Sequence, residues 1–271
     1  MNFLRRSLSV AALAAASCLT ATLVQAEPLS SQATCAVPAS LLRSSYSLPH
    51  VTAKLRAGAP IKIVALGSSS TEGAGASNSA STYPSRMLEE LRHLWPKSTV
   101  TVLNKGISGE QAHQMMARFE RDVIEEKPDL LIWQTGTNSA LQRGDLERFI
   151  ADVDRGIDRA RDMGIDVLLM TPQYSPKFEA VFNKQAYLHN LATIGALNSV
   201  PVFRRYEVMK HWQKSGQMTP TGMINADGLH LTDQSYYCLG VLTARMIASI
   251  ATPPSEQSIP ALTVSARRPA R

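Results

Sequence analysis

The sequence lacks the patterns by which proteins hold a nucleotide or a catalytic zinc ion. It contains no G-x-x-x-x-G-K-[ST], and no G-x-G-x-x-G directly follows an apolar run, which argues against a phosphate-cradling loop. The six histidines and three cysteines form no H-E-x-x-H and no cluster at ligand spacing. The G-x-S-x-G elbow of one large group of hydrolases is also absent. We therefore expect no metal and no cofactor.

The distribution of basic and aromatic residues does not predict a nucleic-acid partner. The 271-residue chain has a formal net charge of +6, and no basic stripe alternates with aromatic side chains. Three of the positive charges lie in the tail at Arg267, Arg268 and Arg271. After residue 26, no apolar run is long enough to cross a bilayer, so we expect no stable membrane insertion of the mature chain. The sequence does not indicate an oligomeric state.

The first 26 residues have the pattern of a secretory signal peptide. Arg5 and Arg6 form a basic start, an apolar run covers 10–24, and residues 24–26 make a small-x-small cleavage site. A membrane anchor is the weaker interpretation, because the run is short and rich in Ala and Ser. The arginine pair and Cys18 leave twin-arginine export and lipoprotein processing as further alternatives. We expect an exported protein, periplasmic or secreted.

The rest of the chain divides into an arm, one domain and a tail. Residues 27–58 are mixed and rich in Ser and Pro, 59–251 carry regular apolar patterns, and 252–271 form a basic tail that we expect to be flexible. Cys35 in the arm and Cys238 in the last predicted helix remain after signal cleavage. Disulfides persist outside the cytoplasm, so the two cysteines either form a bridge or stay as separate thiols.

Strands and helices are predicted to alternate through the domain. Apolar runs of strand length alternate with helical stretches, and most runs are almost continuously hydrophobic, as in strands buried on both faces. This alternation predicts an α/β fold with a parallel sheet between helical layers, whose ligands bind at the carboxyl ends of the strands. The predicted strands are 61–67, 98–104, 129–136, 166–172 and 200–206, and the predicted helices lie near 82–95, 110–125, 145–163, 180–198 and 233–250.

Polar segments follow the first three predicted strands. Residues 67–73 read GSSSTEG, and their hydroxyls either satisfy backbone groups or include a reactive serine. Residues 104–111 read NKGISGEQ, where two glycines make a turn or let the backbone approach a ligand. Residues 134–140 read QTGTNSA and place Asn138 just beyond a strand end. All three segments should therefore lie at one edge of the sheet.

A fourth segment follows the last predicted strand. In NADGLHLTD, 225–233, Asp227 and His230 lie three residues apart in a glycine-containing loop. A turn brings such residues to within about 7 Å at Cα, so the carboxylate can reach the imidazole. The pair is either structural or a general base with the carboxylate that orients it.

These four segments, in this order, resemble the blocks of the SGNH (GDSL-type) hydrolase superfamily over about 60–250. The family block G-D-S-x-T-x-G matches 67–73, with Ser69 at the nucleophile position and Ser68 in place of the family Asp. NKGISG matches the second block at Gly109, and Gly136-Thr137-Asn138-Ser139 matches G-x-N-[DS]. Asp227 and His230 match D-x-x-H.

The resemblance implies a three-layer α/β/α sandwich with a central, mostly parallel five-stranded sheet in flavodoxin-like order. It implies an esterase that uses Ser69, His230 and Asp227 and forms an acyl-enzyme. The amides of Ser69 and Gly109 and the side chain of Asn138 would form the oxyanion hole. The family Asp is replaced by Ser68, so the hydrogen bonding beside the nucleophile and the pH optimum of the activity stay open.

The substrate expected from the resemblance is a small-molecule or glycan ester, with O-acetyl groups on a carbohydrate as the first choice. The alternatives are a lipid esterase or lysophospholipase, a thioesterase, an O-acyltransferase, and a catalytically silent glycan-binding module. Two segments, 173–178 with Gln173 and Tyr174 and 207–224 with Trp212, are predicted loops that could shape the substrate pocket, and Tyr174 and Trp212 are candidate substrate-binding residues. In the other interpretation, the apolar residues of 207–224 cover the core.

Overall fold

A five-stranded parallel sheet forms the centre of the molecule. The computed structural model describes residues 35–251, so the predicted signal peptide and the tail 252–271 lie outside the described residues. All strand pairs are parallel, and the order is β2-β1-β3-β4-β5, which confirms the predicted fold class and strand order. The strands are β1 (Ile61–Gly67), β2 (Val100–Gly106), β3 (Leu130–Gln134), β4 (Asp166–Met170) and β5 (Val202–Phe203).

Helices cover both faces of the sheet and supply the short turns at its edges. Short 3-10 turns lie at Ala39–Leu41 and Ser79–Ser81, and a π-turn lies at Glu120–Ile124. The α-helices are α1 (Pro49–Ala57), α2 (Ser69–Glu72), α3 (Tyr83–Leu94), α4 (Ala112–Ala117), α5 (Thr137–Leu141), α6 (Leu146–Asp162), α7 (Pro176–Glu179), α8 (Lys184–Leu197), α9 (Arg205–Lys214), α10 (Pro220–Met223) and α11 (Asp233–Ala251).

The core consists of two apolar layers separated by the sheet. In β1, Ile61 and Ile63 face one layer, while Val64 and Leu66 face the other, and all four side chains are buried. The first layer is closed mainly by α1, α3, α9 and α11, and the second by α4, α6 and α8. Each fully buried Leu or Ile contributes about 1.5–3 kcal/mol relative to an exposed one, so the strands are held firmly from both sides.

The end of the sheet differs from its sequence-based prediction. The predicted strand 200–206 is reduced to Val202–Phe203, because α9 begins at Arg205. The segment 207–224, which was expected to include a loop shaping a pocket, contains the rest of α9 and α10. Its large apolar side chains are buried in the first layer: Met209, Trp212, Met218 and Met223.

Trp212 therefore does not bind substrate, and that prediction is wrong. Its side chain has 0% exposure and packs among residues of the core. Val208, Met209 and Trp212 lie at spacings of one, three and four residues, which place one face of α9 against the sheet. The alternative interpretation, in which these apolar residues cover the core, is the one that the structure supports.

The N-terminal segment is attached to the domain at several points. Cys35 and Cys238 form a disulfide, which joins this segment to α11 across a sequence separation of 203 residues. Leu48 and Val51 enter the first core layer, and the Thr52 hydroxyl donates to the Ala251 carbonyl oxygen over 2.6 Å. Within residues 35–251, no helix is both long and apolar enough to cross a membrane.

Candidate active site

Ser69 lies in a tight turn between β1 and α2. Ser68 has extended backbone, and α2 begins at Ser69, whose side chain is mostly buried. Gly67 precedes this turn, and a Cβ at that position would lie 2.1 Å from Thr71 Oγ1 and 2.9 Å from Gln134 Oε1. Only glycine fits there without displacing the turn, so the residue before the serines is fixed by packing.

Polar side chains from the two neighbouring strands hold this turn in place. Gln134 Oε1, at the end of β3, accepts hydrogen bonds from the Ser68 N–H at 3.0 Å and from the Ser68 and Thr71 hydroxyls, both at 3.2 Å. Asn104, from β2, donates to the Thr71 carbonyl oxygen over 2.7 Å. Ser68, which replaces the family Asp, is therefore an anchor between the serine turn and β3.

Gly106, one of the two glycines of 104–111, allows a close backbone approach, but to another segment of the protein rather than to a ligand. A Cβ on Gly106 would lie 2.0 Å from the backbone nitrogen of Glu72. The end of β2 therefore packs directly on α2. Gly109 supplies the turn, with a positive φ of 81° that favours glycine, and its surroundings leave open space at the Cβ position.

The loop between α10 and α11 presents Asp227 and His230 together. Gly228, with φ +70°, allows the tight turn, and the Gly228 N–H donates to the Asn225 carbonyl oxygen over 2.9 Å. Asp227 Oδ1 accepts the backbone N–H groups of Leu229 at 2.9 Å and His230 at 3.0 Å. Asp227 Oδ2 forms a further hydrogen bond with His230 Nδ1.

These bonds keep Asp227 ionised. Partial burial alone would raise the pKa of the carboxyl group, but the backbone N–H groups of His230 and Leu229 and the His230 ring outweigh it and lower the pKa to about 2. An ionised carboxylate only accepts hydrogen bonds, so the His230 nitrogen that faces it carries the proton. The other ring nitrogen, Nε2, is then an acceptor.

The acceptor nitrogen of His230 faces Ser69. The distance from His230 Nε2 to Ser69 Oγ is 3.0 Å, although the two residues lie 161 positions apart in the chain. The structure thus joins Ser69, His230 and Asp227 in one hydrogen-bonded line at the carboxyl edge of the sheet. In this arrangement the imidazole can take the hydroxyl proton while the carboxylate stabilises the resulting cation.

Asn138 and Gly109 lie on segments that are tied to each other. Asn138, in the first turn of α5, is 8% exposed and donates one amide hydrogen to the Glu110 carbonyl oxygen over 3.0 Å. The second hydrogen of the amide is available to a ligand. Gln142, also near α5, donates to the Gly109 carbonyl oxygen over 2.9 Å, which joins the two candidate donor segments.

Tyr174 remains a candidate for substrate binding. Its half-buried ring packs edge-on against Tyr206, with 5.4 Å between the centroids, and the Lys210 ammonium lies 6.0 Å from the ring centroid.

No group of three or more His, Cys, Asp or Glu residues within 35–251 has an arrangement that could hold a metal ion.

The residues that support the site were not predicted from the sequence. Asn104 lies in the segment 104–111, Gln134 in 134–140 and Gln173 in 173–178, and none of the three was predicted to take part in the site. Each is polar and lies within three residues of the carboxyl end of a strand, which is the signal that could have identified it. Two of them bind the serine turn, and the third lies beneath the Asp227–His230 loop.

Comparison with known proteins identifies the family. The chain is 29% identical to an acetylxylan esterase of Geobacillus stearothermophilus over 114 residues, which are 38% of this chain and 52% of the relative. It is 32% identical to an uncharacterised lipoprotein, YqeF, of Bacillus subtilis strain 168 over 81 residues, 28% of this chain and 33% of the relative. The matches therefore span about half and one third of these two relatives.

A solved structure and a family model extend the match to the whole domain. A lipolytic protein of the G-D-S-L family from Desulfitobacterium hafniense DCB-2 has the same fold, with a TM-score of 0.53, 20% identity, and coverage of 68% of this chain and 98% of that one. These relationships confirm the resemblance to SGNH (GDSL-type) proteins. The model of the non-GDSL lipase-like family matches residues 34–253, and the chain belongs to that family.

Proposed function

We propose that this protein is a carboxylic ester hydrolase with Ser69 as nucleophile, His230 as general base and Asp227 as the group that orients the base. One observation carries the proposal, the 3.0 Å hydrogen bond between Ser69 Oγ and His230 Nε2. A silent binding module has no need to hold a hydroxyl, an imidazole and an ionised carboxylate in line. The acyl-transfer chemistry follows from that line of residues.

In the proposed reaction, His230 accepts the Ser69 proton as Ser69 Oγ attacks the carbonyl carbon of the ester. The tetrahedral intermediate collapses, and the proton on His230 passes to the leaving alkoxide, which departs as an alcohol. Ser69 then carries the acyl group. A water molecule, deprotonated by His230, attacks the acyl carbon of this acyl-enzyme. The bond to Ser69 Oγ then breaks, His230 gives its proton to Ser69 Oγ, and the acid is released.

The negative oxygen of each tetrahedral intermediate would be met by three donors, the amides of Ser69 and Gly109 and the side chain of Asn138. Ser69 is the first residue of α2, and the first N–H groups of a helix have no acceptor within their own helix. Asn138 has one amide hydrogen left after its bond to Glu110. These donors are fixed in advance by the turns that carry them, which is the main requirement for stabilising developing charge.

We expect Asn138→Ala to lower kcat by about a hundred- to a thousand-fold while KM changes little, because the amide acts on charge that develops only in the transition state. Steady-state kinetics on a soluble acetyl ester measure both constants. Asn198→Ala is a matched control, since Asn198 is an amide at the end of α8 that bonds Asp154. A change in KM alone for Asn138→Ala would assign this residue to substrate binding.

An O-acetylated carbohydrate is the substrate that we favour. The acetylxylan esterase relative supports this choice, as does the disulfide between Cys35 and Cys238. Disulfides persist outside the cytoplasm, where polymeric glycans are found, and one relative is named a lipoprotein. We accordingly propose that the protein is exported to the periplasm or the medium.

A panel of esters tests the substrate class. Acid release is measured with acetyl, butyryl and long-chain nitrophenyl esters and with acetylated xylo-oligosaccharides, each with and without a free sugar acceptor. We expect the highest kcat/KM for acetyl esters and free acetate as the product. A preference for long chains would instead indicate a lipid esterase, and acetylated acceptor in place of acetate would indicate an acyltransferase.

A further inference from the structure

A buried arginine lies at the carboxyl edge of the sheet and has no role in the proposed chemistry. Arg205, the first residue of α9, has 0% exposure. Its Nε donates to the Thr171 carbonyl oxygen over 2.9 Å, and its Nη2 donates to Gln173 Oε1 over 2.7 Å. Within residues 35–251, no Asp or Glu forms an ion pair with Arg205, and its Nη1 is buried without a hydrogen-bond partner.

This burial is costly for the protein. A cation removed from water without a carboxylate partner is strongly disfavoured, and an orphaned N–H adds to that penalty. Burial lowers the pKa of Arg205 to about 10, which still leaves the side chain charged at neutral pH. An apolar side chain of similar size would be expected to pack there more favourably, so a gain other than stability is needed to account for the arginine.

Gln173 connects this arginine to two parts of the candidate active site. Its Oε1 accepts the hydroxyl hydrogen of Thr137 over 2.9 Å, and Thr137 directly precedes Asn138. Its Nε2 donates to the Leu229 carbonyl oxygen over 3.5 Å, and Leu229 directly precedes His230. One glutamine side chain therefore bridges the segment of the oxyanion donor and the loop of the base.

Arg205 determines which way the Gln173 amide faces. A guanidinium group only donates hydrogen bonds, so the amide atom next to it has to be oxygen. The amide nitrogen is then directed to the Leu229 carbonyl oxygen. Without the cation, the amide could rotate by half a turn, and its oxygen would face the Leu229 oxygen and repel the loop that carries His230.

The same cation interacts with two tyrosines that contact the serine turn. Burial raises the pKa of both Tyr83 and Tyr236, and the charge of Arg205 opposes this rise. The Tyr83 hydroxyl shares a 3.2 Å hydrogen bond with Thr71 Oγ1, and the Tyr236 hydroxyl donates to the Ala74 carbonyl oxygen over 2.8 Å. The charge of Arg205 thus acts on two side chains that contact the segment of Ser69.

We propose that Arg205 is a positioning residue that, by orienting the Gln173 amide, keeps the loop of His230 and the turn of Asn138 in register with Ser69. It touches neither the substrate nor the reacting atoms. The proposal rests on the proposed hydrolase function for its kinetic consequences, but its structural consequence, a loop held by the Gln173 amide, is independent of any activity.

Four variants separate this role from a contribution to folding. Arg205→Met removes the cation. Arg205→Lys keeps a group that only donates and should restore part of the orientation. Gln173→Glu keeps an acceptor for the guanidinium but loses the donor to Leu229. Arg204→Met is the matched control, since this neighbouring, half-buried arginine instead donates to the Ser40 carbonyl oxygen.

For each variant, kcat and KM are measured, with the concentration of active sites determined by burst titration. The hydrogen-exchange rates of the backbone amides in 226–231 are measured as well. We expect Arg205→Met and Gln173→Glu to lose about ten- to a hundred-fold in kcat with KM within about threefold, as for a displaced catalytic group. Their loop amides should exchange at least about tenfold faster, because local opening is easier. Arg205→Lys should lie between Arg205→Met and the wild type, and Arg204→Met should match the wild type.

The proposal is overturned if folded Arg205→Met retains wild-type kcat per site and wild-type exchange in 226–231. If Arg205→Met does not fold, Gln173→Glu decides by the same two measurements. If the wild-type protein hydrolyses no ester, the proposed function is wrong. The exchange rates still decide whether Arg205 and Gln173 hold the loop.

Discussion

Ser69→Ala is expected to abolish ester hydrolysis while the protein stays folded. Loss of the nucleophile in a serine hydrolase lowers kcat by about a million-fold, because the acyl-enzyme can no longer form. The Ser69 hydroxyl has its hydrogen bond with the His230 ring, whereas the surrounding turn is held by Gln134 and Asn104. Removing one oxygen atom therefore leaves the anchors of the turn unchanged.

Ser70→Ala is the matched control for this variant. Ser70 is the next residue in the same turn, is 1% exposed, and has a buried hydroxyl without a hydrogen-bond partner. We expect its kcat to stay within about threefold of wild type, since a change that removes no interaction usually has a small effect. Circular dichroism and thermal melting verify folding of both proteins. Hydrolysis by Ser69→Ala at the wild-type rate would remove Ser69 from the mechanism.

Asp227→Asn is expected to lower kcat by about ten-thousand-fold, as the loss of the orienting carboxylate does in related catalytic triads. The substituted side chain keeps Oδ1, which accepts the Leu229 and His230 N–H groups, so the loop should retain its shape. Its amide nitrogen, however, would face His230 Nδ1 as a donor. The ring would then adopt the other tautomer, with a hydrogen on Nε2, and could no longer accept the Ser69 proton.

The control for this variant is Asp233→Asn at the start of α11. Asp233 also accepts backbone and side-chain hydrogen bonds, in this case from Ser77, and lies on the same segment of chain. We expect its kcat to remain within about threefold of wild type, because its carboxylate does not contact the His230 ring. Equal losses in the two variants would mean that Asp227 acts on the fold of the loop rather than on the imidazole.

Much of the fold could be predicted because its strands have strong local patterns. The run 61–67 is apolar on both faces and ends at a glycine, and it forms β1 with the predicted bounds. The last strand was overestimated, since 200–206 is apolar at first, but β5 ends at Phe203 and α9 begins at Arg205. Helix α9 was not predicted, because its apolar residues become recognisable as one face of a helix only once the core that they pack in is known.

The reacting residues could be proposed from sequence, whereas the contacts that hold them in place could not. Ser69, Asp227 and His230 occur in short segments whose residue types and spacing carry chemistry. Arg205 and Gln173 depend instead on contacts across elements, with Arg205 at the start of α9 meeting residues that follow β4. Trp212 shows the opposite error, since an aromatic residue in a presumed loop proved to be part of the core.

The most direct test is to identify the residue that a serine-reactive fluorophosphonate modifies in the wild-type protein. The reagent requires an activated hydroxyl, and Ser68, Ser69 and Ser70 lie side by side in one peptide, so fragmentation by mass spectrometry distinguishes them. We expect a single adduct on Ser69 and none when His230 is replaced by alanine. An adduct on Ser68 or Ser70, or labelling that does not depend on His230, would contradict the account.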